Sequence, residues 1–247
     1  MNRVAFLSDI HFPCHHKQAW DLTLKILPEL NLDLIHIGGD GIEFESLSRF
    51  SVPPDRRILL KNDIKITLRE LTKLRSCIPD IPIEWRCGNH EYRLERYIYS
   101  KSPELDGVNG ISVPEMFNFS NFDIQWIPRI QERKIGKLMF MHGDEVRVGS
   151  IYPARNLYFK ISGNVIAGHF HTEGKYIHTL SDKTIHGVWI NACLRSLRPE
   201  WAPFSQWSNG FTVIEFSTGG FFHVTQILYI RRNGKMWANV GGVEFFS

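Results

Sequence analysis

The stretch Gly168–Thr172, "GHFHT", places His169 and His171 one residue apart, directly after the apolar run "NVIA". Two such imidazoles could bind a metal ion, but a His-x-His pair in a mostly apolar stretch is more often structural. A metal site requires further ligands from other segments. The chemistry of this pair therefore depends on what the rest of the chain supplies.

Other predicted strand ends carry further side chains with nitrogen or oxygen ligand atoms. They are Asp9 and His11 in "SDIH", Asp40 in "GGD", Asn89 and His90 in "GNHE", and His142 in "MHGD". Asp9 and His11 can face one point, because side chains on one side of an extended chain repeat every two residues. Ligands commonly collect beyond the carboxyl ends of parallel strands.

Each of these residues also has an explanation without a metal. Asp40 could form a local Asx turn, Asn89 could adopt a left-handed conformation, and His142 could be a buried, hydrogen-bonded imidazole. Taken together, such explanations require unrelated coincidences in five separate segments. The oxygen and nitrogen donors, without a thiolate, favour Mn, Fe, Zn or a similar divalent ion over a soft metal.

The segments that carry these residues alternate between predicted strands and helices in the first half of the chain. "RVAFLS" and "LDLIHIG" are predicted strands, and "KQAWDLTLKIL" between them predicts the crossover helix of a parallel βαβ unit. Apolar residues at steps of three and four predict a helix from Arg56 to Ile78. Pro79 and Pro82 then end this helix, and "IEWRC" follows as a third strand.

From about Phe122 onwards the sequence predicts mainly strands. The strand-like runs are "FDIQWI", "KLMFMH", "NVIAG", "KYIHTL", "TIHGVWIN", "GFTVIEF" and "FFHVTQILYI", whereas "YPARNLYFKI" predicts a helix. No repeat, low-complexity tract or linker separates the two halves. We therefore expect one α/β domain over residues 1–247, with packed sheets flanked by helices.

The composition is that of a globular chain. It has 247 residues, 43% hydrophobic and 22% charged, and its net charge of +3 permits a nucleic-acid partner without requiring one. Cys14, Cys77, Cys87 and Cys193 show no CxxC spacing, which favours free thiols in a reducing compartment. The N-terminus has neither a signal-peptide core nor an apolar run of membrane-spanning length. We expect a soluble, cytoplasmic protein without a membrane partner.

The order of five short motifs resembles that of the calcineurin-like metallophosphoesterases. These motifs are "DIH", "GGD", "GNHE", "HGD" and "GHFH", within the region from about Arg3 to Asn191. The contexts "DGIEFESLSRF" and "GNHEYRLERY" are most similar to small phage and bacterial members. The resemblance implies a four-layer α-β-β-α sandwich of two mixed β-sheets and a centre of two divalent metal ions. Manganese is the expected metal, with Fe, Zn, Ni and Mg as alternatives.

The resemblance also implies seven metal ligands, divided between two ions with one bridging carboxylate. One ion would have Asp9, His11 and His171, the other would have Asn89, His142 and His169, and Asp40 would bridge them. Two such ions activate a water for in-line attack on phosphorus. His90 would stay off the metals and protonate the leaving alkoxide or stabilise charge, with Glu91 orienting its ring.

Some segments depart from the family pattern or lie outside it. Protein serine/threonine phosphatases have an Asp-Arg-Gly sequence after the second-motif aspartate, whereas this chain has "GDGIEFES", which disfavours that activity. Arg49 could replace the missing cation or could be a solvated loop residue. In "NACLRSLRPEWAPFSQWSNGF", Arg195, Arg198, Trp201 and Trp207 could hold a single nucleic-acid strand, or the tryptophans could pack the loop onto the sheet.

The sequence therefore predicts a metal-dependent hydrolase of phosphate esters. The first hypothesis is a phosphodiesterase or nuclease acting on nucleic acid or nucleotides. The second is a phosphomonoesterase acting on a small nucleotide or a phosphorylated end. A third, a metal-free binding module on the same scaffold, is disfavoured by the complete ligand set.

Overall fold

The computed structural model of the chain describes residues 3–50, 58–149 and 151–247. The helices are α1 (Lys17–Ile26), α2 (Leu60–Cys77), α3 (Tyr92–Lys101), α4 (Val113–Met116) and α5 (Pro153–Ile161). The strands are β1 (Arg3–Leu7), β2 (Leu34–Ile37), β3 (Ile83–Arg86), β4 (Ile124–Ile127), β5 (Arg133–Ile135), β6 (Leu138–Met141), β7 (Val165–Ala167), β8 (Gly174–Thr179), β9 (Ile185–Ile190), β10 (Gly210–Phe216), β11 (Phe222–Leu228), β12 (Ile230–Arg232), β13 (Lys235–Val240) and β14 (Val243–Phe246). Each predicted strand-like run overlaps one of these strands.

The first elements form the predicted βαβ unit. β1 and β2 pair in parallel, with Val4 opposite Leu34 and Leu7 opposite Ile37. Parallel strands need a crossover connection, which α1 supplies while burying its apolar face in the core. The carboxyl ends of β1 and β2 therefore lie at the same edge of the sheet.

Two mixed sheets make up the centre of the fold. The first has six strands in the order β11-β10-β1-β2-β3-β4, in which β1 to β4 run parallel. The second has five strands in the order β5-β6-β7-β9-β8, in which β6, β7 and β9 run parallel. A separate antiparallel sheet, β12-β13-β14, was not predicted from the sequence.

Three apolar clusters define the order of the layers. The largest packs α1 and α2 against the six-stranded sheet and buries Trp20, Leu71 and Trp85. The second lies between the two sheets, where the ring centres of Phe6 and Phe140 are 5.9 Å apart. The third packs α5 on the five-stranded sheet. The layers are thus helices, sheet, sheet and helix, which confirms the predicted four-layer sandwich.

The start of the long helix differs from the prediction. α2 begins at Leu60, whereas the apolar pattern predicted a start at Arg56, which lies outside the described residues. α2 ends at Cys77, shortly before Pro79, because a proline ring inside the helix would clash with the preceding turn. Among the helices that the structure describes, none is both long and apolar enough to cross a membrane.

Candidate metal centre

The first candidate ligands follow three adjacent parallel strands of the six-stranded sheet. Asp9 and His11 come after β1, Asp40 after β2, and Asn89 and His90 after β3. Neighbouring parallel strands end at one edge of a sheet, so these loops lie side by side. A hydrogen bond of 2.9 Å from the backbone N–H of His11 to the carbonyl oxygen of Asp40 joins two of them.

The remaining candidate ligands come from the five-stranded sheet. His142 follows β6, and His169 and His171 follow β7, which pairs in parallel with β6. The backbone N–H of His169 donates to both carboxylate oxygens of Asp9, at 2.9 and 3.0 Å. The two sheets therefore meet at this edge, and both contribute side chains to one site.

Asp9, His11 and His171 form a first group, whose ligand atoms all lie within 4.8 Å of one another. All three side chains are buried. The Nε2 atoms of His11 and His171 face each other at 3.1 Å, and Nε2 of His171 lies 3.3 Å from Oδ1 of Asp9. Two imidazole nitrogens and a carboxylate oxygen thus converge on one point.

Asp40, His142 and His169 form a second group, again within 4.8 Å. The Nε2 atom of His142 lies 3.1 Å from the side-chain oxygen of Asn89. Nδ1 of His142 donates a hydrogen bond of 2.9 Å to the carbonyl oxygen of Gly38. Such a bond selects the tautomer that leaves Nε2 free for a metal. The structure thus brings Asn89 together with His142 and His169, the set expected for the second ion.

Asp40, a member of the second group, also lies beside His11 of the first group. Its Oδ1 atom is 3.3 Å from Nε2 of His142, and its Oδ2 atom is 3.9 Å from Nε2 of His11. Oδ1 also accepts a hydrogen bond of 2.8 Å from the backbone N–H of His90, which orients the carboxylate. One carboxylate therefore directs an oxygen towards each group.

Asp40 and His142 are electrostatically coupled. Burial alone would raise the pKa of Asp40, but the positive charge of His142 and a hydrogen bond with it hold this pKa well below its usual value. Burial alone would lower the pKa of His142, but the charge of Asp40 and a hydrogen bond to it hold this pKa well above its usual value. A divalent ion that binds here would therefore displace a proton from His142.

Five candidate ligands have a left-handed backbone, which residues other than glycine seldom adopt. The φ angles are 53° for Asp9, 58° for His11, 52° for Asp40, 71° for His169 and 60° for His171. Such conformations are energetically costly and are concentrated at functional sites, where the surrounding structure enforces them. The backbone at these strand ends is therefore held in a costly conformation by the surrounding structure.

Gly88 and Gly168 account for two of the motif glycines. A Cβ atom on Gly168 would lie 2.5 Å from a carboxylate oxygen of Asp9, and one on Gly88 would collide with the carboxylate of Asp40. A side chain at either position would therefore displace a candidate ligand.

Glu91 supports the turn that carries Asp40. Its carboxylate accepts hydrogen bonds from the backbone N–H groups of Asp40, Gly41 and Gly88, at 2.9, 2.7 and 3.0 Å. The expectation that Glu91 orients the ring of His90 is therefore wrong, because these donors occupy its carboxylate.

Other groups hold the ring of His90. Its Nδ1 atom lies 2.7 Å from the carbonyl oxygen of Glu43, and its Nε2 atom lies 2.9 Å from a guanidinium nitrogen of Arg93. Burial lowers the pKa of His90 to about 3, so Nδ1 donates to the carbonyl and Nε2 accepts from Arg93. The ligand atoms of His90, His11 and Asp40 also lie within 4.8 Å of one another. His90 is therefore adjacent to the candidate metal positions.

Glu43 and Arg195 form a buried ion pair beside His11. A guanidinium nitrogen of Arg195 donates to a carboxylate oxygen of Glu43, and that oxygen lies 2.9 Å from Nδ1 of His11. Arg195 is only 4% exposed, which differs from the expectation of a loop residue that contacts a nucleic-acid strand. It points inward because a buried carboxylate such as Glu43 requires a counter-charge.

The other residues predicted to bind substrate lie at the surface. Arg49 is exposed, and its guanidinium lies 5.1 Å from the ring centre of the next residue. Arg198 and Trp201 are also exposed. Trp207 is half-buried, with its ring centre 4.3 Å from that of His171 and 5.4 Å from that of Trp201. Trp207 therefore contacts a candidate ligand directly.

The donor set fits two divalent ions. Imidazole nitrogens with carboxylate and amide oxygens suit Mn, Fe and Zn. His11 and His142 each use Nδ1 for a contact with Glu43 or Gly38, which leaves Nε2 directed into the site. Metal-binding histidines in proteins characteristically have such a partner on the second nitrogen.

Comparison with protein families agrees with this geometry. The sequence profile of the calcineurin-like phosphoesterases, Metallophos, matches residues 2–182. The chain therefore belongs to the calcineurin-like phosphoesterase family. A comparison with curated proteins finds no match.

Three solved structures are similar to this chain over most of its length. Vacuolar Protein Sorting 29 from Cryptosporidium parvum is 14% identical, with 100% of this chain and 98% of that chain covered and a TM-score of 0.48. The Pseudomonas putida nuclease MPE is 14% identical, with 95% and 86% covered and a TM-score of 0.42. A dimetal phosphatase from Danio rerio is 10% identical, with 88% and 93% covered and a TM-score of 0.45. These similarities do not distinguish among activities.

Proposed function

We propose that this protein is a phosphodiesterase or nuclease that hydrolyses nucleic acid or nucleotides with two bound divalent ions. The observation that carries the proposal is the position of Asp40, whose two oxygens face His142 and His11. Two ions that share a carboxylate can clamp one phosphoryl group between them. We expect Mn²⁺ in the native enzyme, with Fe, Zn, Ni and Mg as alternatives.

Seven side chains would hold the ions: Asp9, His11, Asp40, Asn89, His142, His169 and His171. When bound, the ions would polarise the phosphoryl oxygens and lower the pKa of a water molecule. Glu43 and the carbonyl oxygen of Gly38 would keep the correct ring nitrogens directed at the site.

His90 and Arg93 would act on the phosphate rather than on the ions. The ring of His90 lies 4.4 Å from that of His11, and its Nε2 atom lies 3.7 Å from Oδ2 of Asp40. Arg93 brings a positive charge to within 2.9 Å of the same nitrogen. This pair is positioned to stabilise charge on the reacting phosphate. Because Nε2 of His90 accepts a hydrogen bond from Arg93 and carries no proton at neutral pH, His90 would protonate the leaving oxygen only after taking up a proton in the substrate complex.

The space beside the site can hold a large substituent on phosphorus. A groove of about 900 Å³, lined in part by His169, Phe170 and Trp207, opens next to the second group of ligands. A phosphomonoester has one substituent on phosphorus, whereas a diester has two. A chain that continues on both sides of the reacting phosphate would use this groove.

A matrix of metals and substrates tests the function. Chelator-treated protein is assayed on bis-p-nitrophenyl phosphate, p-nitrophenyl phosphate, a cyclic nucleotide, and single- and double-stranded oligonucleotides, each with Mn, Mg, Ni or Zn. We expect no activity without metal, recovery with Mn²⁺, and faster hydrolysis of diesters than of the monoester. Full turnover by rigorously metal-free protein would rule out the metal mechanism. Preference for the monoester would favour a phosphatase, and binding of nucleic acid without hydrolysis would favour a binding module.

A further inference from the structure

The groove beside the candidate metal centre has one wall in common with it. His169, a candidate ligand, lines the groove together with Phe170, and Trp207 lies on the same surface. Trp207 is in turn packed edge-to-face on His171, with ring centres 4.3 Å apart. A ligand in the groove would therefore extend directly to the ligand atoms of the second group.

Aromatic side chains form part of the lining of this groove. Tyr152, Phe170, Tyr176 and Trp207 all contribute to it. Tyr152 is 74% exposed, although a tyrosine ring gains stability from burial. Rings in one groove, partly open to solvent, offer flat faces on which a planar ligand can stack.

The same groove carries positive charge. Arg155, on α5, and Lys175, on β8, both line it and are exposed, whereas Glu173 is its acidic residue. The guanidinium of Arg155 lies 5.1 Å from the ring centre of Phe159, which holds it at the surface of α5. Two cations against one carboxylate favour an anionic ligand.

We propose that this groove binds a single strand of nucleic acid, with bases stacked on the aromatic rings and phosphates paired with Arg155 and Lys175. This inference rests on the proposed phosphodiesterase function and specifies its substrate as an unpaired strand. Stacking on aromatic rings between basic residues is how proteins hold single strands without reading their sequence. A phosphopeptide would pair with the cations but would leave the aromatic surfaces without base partners.

Only some of the residues predicted from the sequence to hold a nucleic-acid strand lie at this groove. Arg195 is buried beside Glu43 and is not available at the surface. Trp207 belongs to the groove, and Trp201 extends the aromatic surface from it, with ring centres 5.4 Å apart.

Fluorescence anisotropy with a labelled single-stranded 12-mer tests the proposal, with full-length protein in EDTA so that no linkage is hydrolysed. Tyr152→Asn tests stacking, because asparagine tolerates the left-handed backbone at this position (φ 55°). We expect binding to weaken about tenfold. Tyr99→Asn is the matched control, because Tyr99 is 56% exposed on α3, outside the groove.

The double variant Arg155→Gln/Lys175→Gln tests the phosphate contacts. The slope of log Kd against log salt should fall by about 1.4, as expected for two lost contacts to a single strand. Lys160→Gln on α5 and Lys183→Gln in the turn between β8 and β9 form the control pair, since both are exposed and lie outside the groove lining.

Unchanged oligonucleotide binding by the groove variants would overturn the proposal. Tighter binding of a phosphoserine peptide than of the 12-mer, lost in the same variants, would also overturn it. Hydrolysis of bis-p-nitrophenyl phosphate by the wild type is measured separately. If that hydrolysis occurs while groove variants bind normally, the groove assignment alone fails. If no ester is hydrolysed while the variants lose binding, the proposed hydrolase function fails and the groove assignment stands.

Discussion

The Nδ1 atom of His11 lies 2.9 Å from a carboxylate oxygen of Glu43, on the side of the ring opposite the candidate metal site. Loss of such a partner typically weakens metal binding by about 10–100-fold. We expect Glu43→Gln to weaken Mn²⁺ binding by this factor while the protein remains folded, as measured by isothermal titration calorimetry and circular dichroism.

Glu45→Gln is the matched control for this change. Glu45 is two residues away, and its carboxylate accepts a hydrogen bond of 3.2 Å from the backbone N–H of Ile58. This variant should bind Mn²⁺ as the wild type does. Equal losses of affinity in the two variants would argue against a specific role for Glu43.

Asp40→Ala should reduce bound metal towards one equivalent or less, because Asp40 directs one oxygen towards each group. Asp9→Ala is the informative comparison and should retain about one equivalent, since Asp9 belongs to the first group. Elemental analysis after reconstitution with Mn²⁺ measures both variants. Asp40→Asn is a second variant that can still accept the hydrogen bond from the backbone N–H of His90. It shows whether a loss of metal in Asp40→Ala results from misfolding. Two tightly bound ions in Asp40→Ala would exclude a bridging role.

His90→Ala should fold and bind two ions, yet kcat should fall by about 10²–10⁴-fold, the usual scale for general acid catalysis. The loss should be smaller for p-nitrophenyl esters than for an oligonucleotide, because p-nitrophenolate leaves without protonation. His178→Ala, a half-buried histidine on β8, is the control. Loss of one metal equivalent from His90→Ala would instead make His90 a ligand, in keeping with its proximity to His11 and Asp40.

Glu84 on β3 provides a test of stability away from the site. Burial alone would raise its pKa, but hydrogen bonds from His36 and Arg133 lower the pKa from 4.5 to about 2. A carboxyl group whose pKa is lower in the folded than in the unfolded state stabilises the folded protein at pH values above its unfolded-state pKa. This stabilisation is lost as the pH falls through the folded-state pKa. Glu84→Gln should therefore lower the free energy of unfolding by about 1–3 kcal/mol at neutral pH, between the values for an exposed and a buried ion pair, because Arg133 is half-buried.

The difference in the free energy of unfolding between wild type and Glu84→Gln should become smaller as the pH falls from 4.5 to about 2. Urea denaturation of both proteins across this pH range measures the difference. Glu132→Gln removes an exposed carboxylate that pairs with Lys134 and should have little effect at any pH. A difference in the free energy of unfolding between wild type and Glu84→Gln that does not vary with pH would contradict the assigned ion pair.

The placement of the candidate ligands could be predicted because each lies at a strand end within a short motif. Parallel pairing of β1 with β2 brings Asp40 beside the loop that carries Asp9 and His11. The expected alternation of an extended chain does not explain how Asp9 and His11 come together, because β1 ends at Leu7 and both residues have a left-handed backbone. The four layers of the fold were predicted from the resemblance of the five motifs to those of the calcineurin-like metallophosphoesterases.

The surroundings of the ligands could not be predicted in this way. Glu43 and Arg195 are a lone glutamate and a lone arginine in separate loops, and their pairing arises from tertiary packing. The third sheet was not predicted because its outer strands, β12 and β14, are short and show no alternation of buried and exposed residues. Only the central strand, β13, has such an alternation.

Each candidate metal group takes side chains from both sheets: Asp9 and His11 with His171, and Asp40 with His142 and His169. Ions bound there would join the two sheets much as a cross-link does, at the edge of the apolar layer between them. Bound metal would then resist separation of the halves, and its contribution would grow with free metal concentration, reaching about 2.7 kcal/mol at a hundred times Kd. The availability of metal in the cell would thus shift the equilibrium between the folded and unfolded protein.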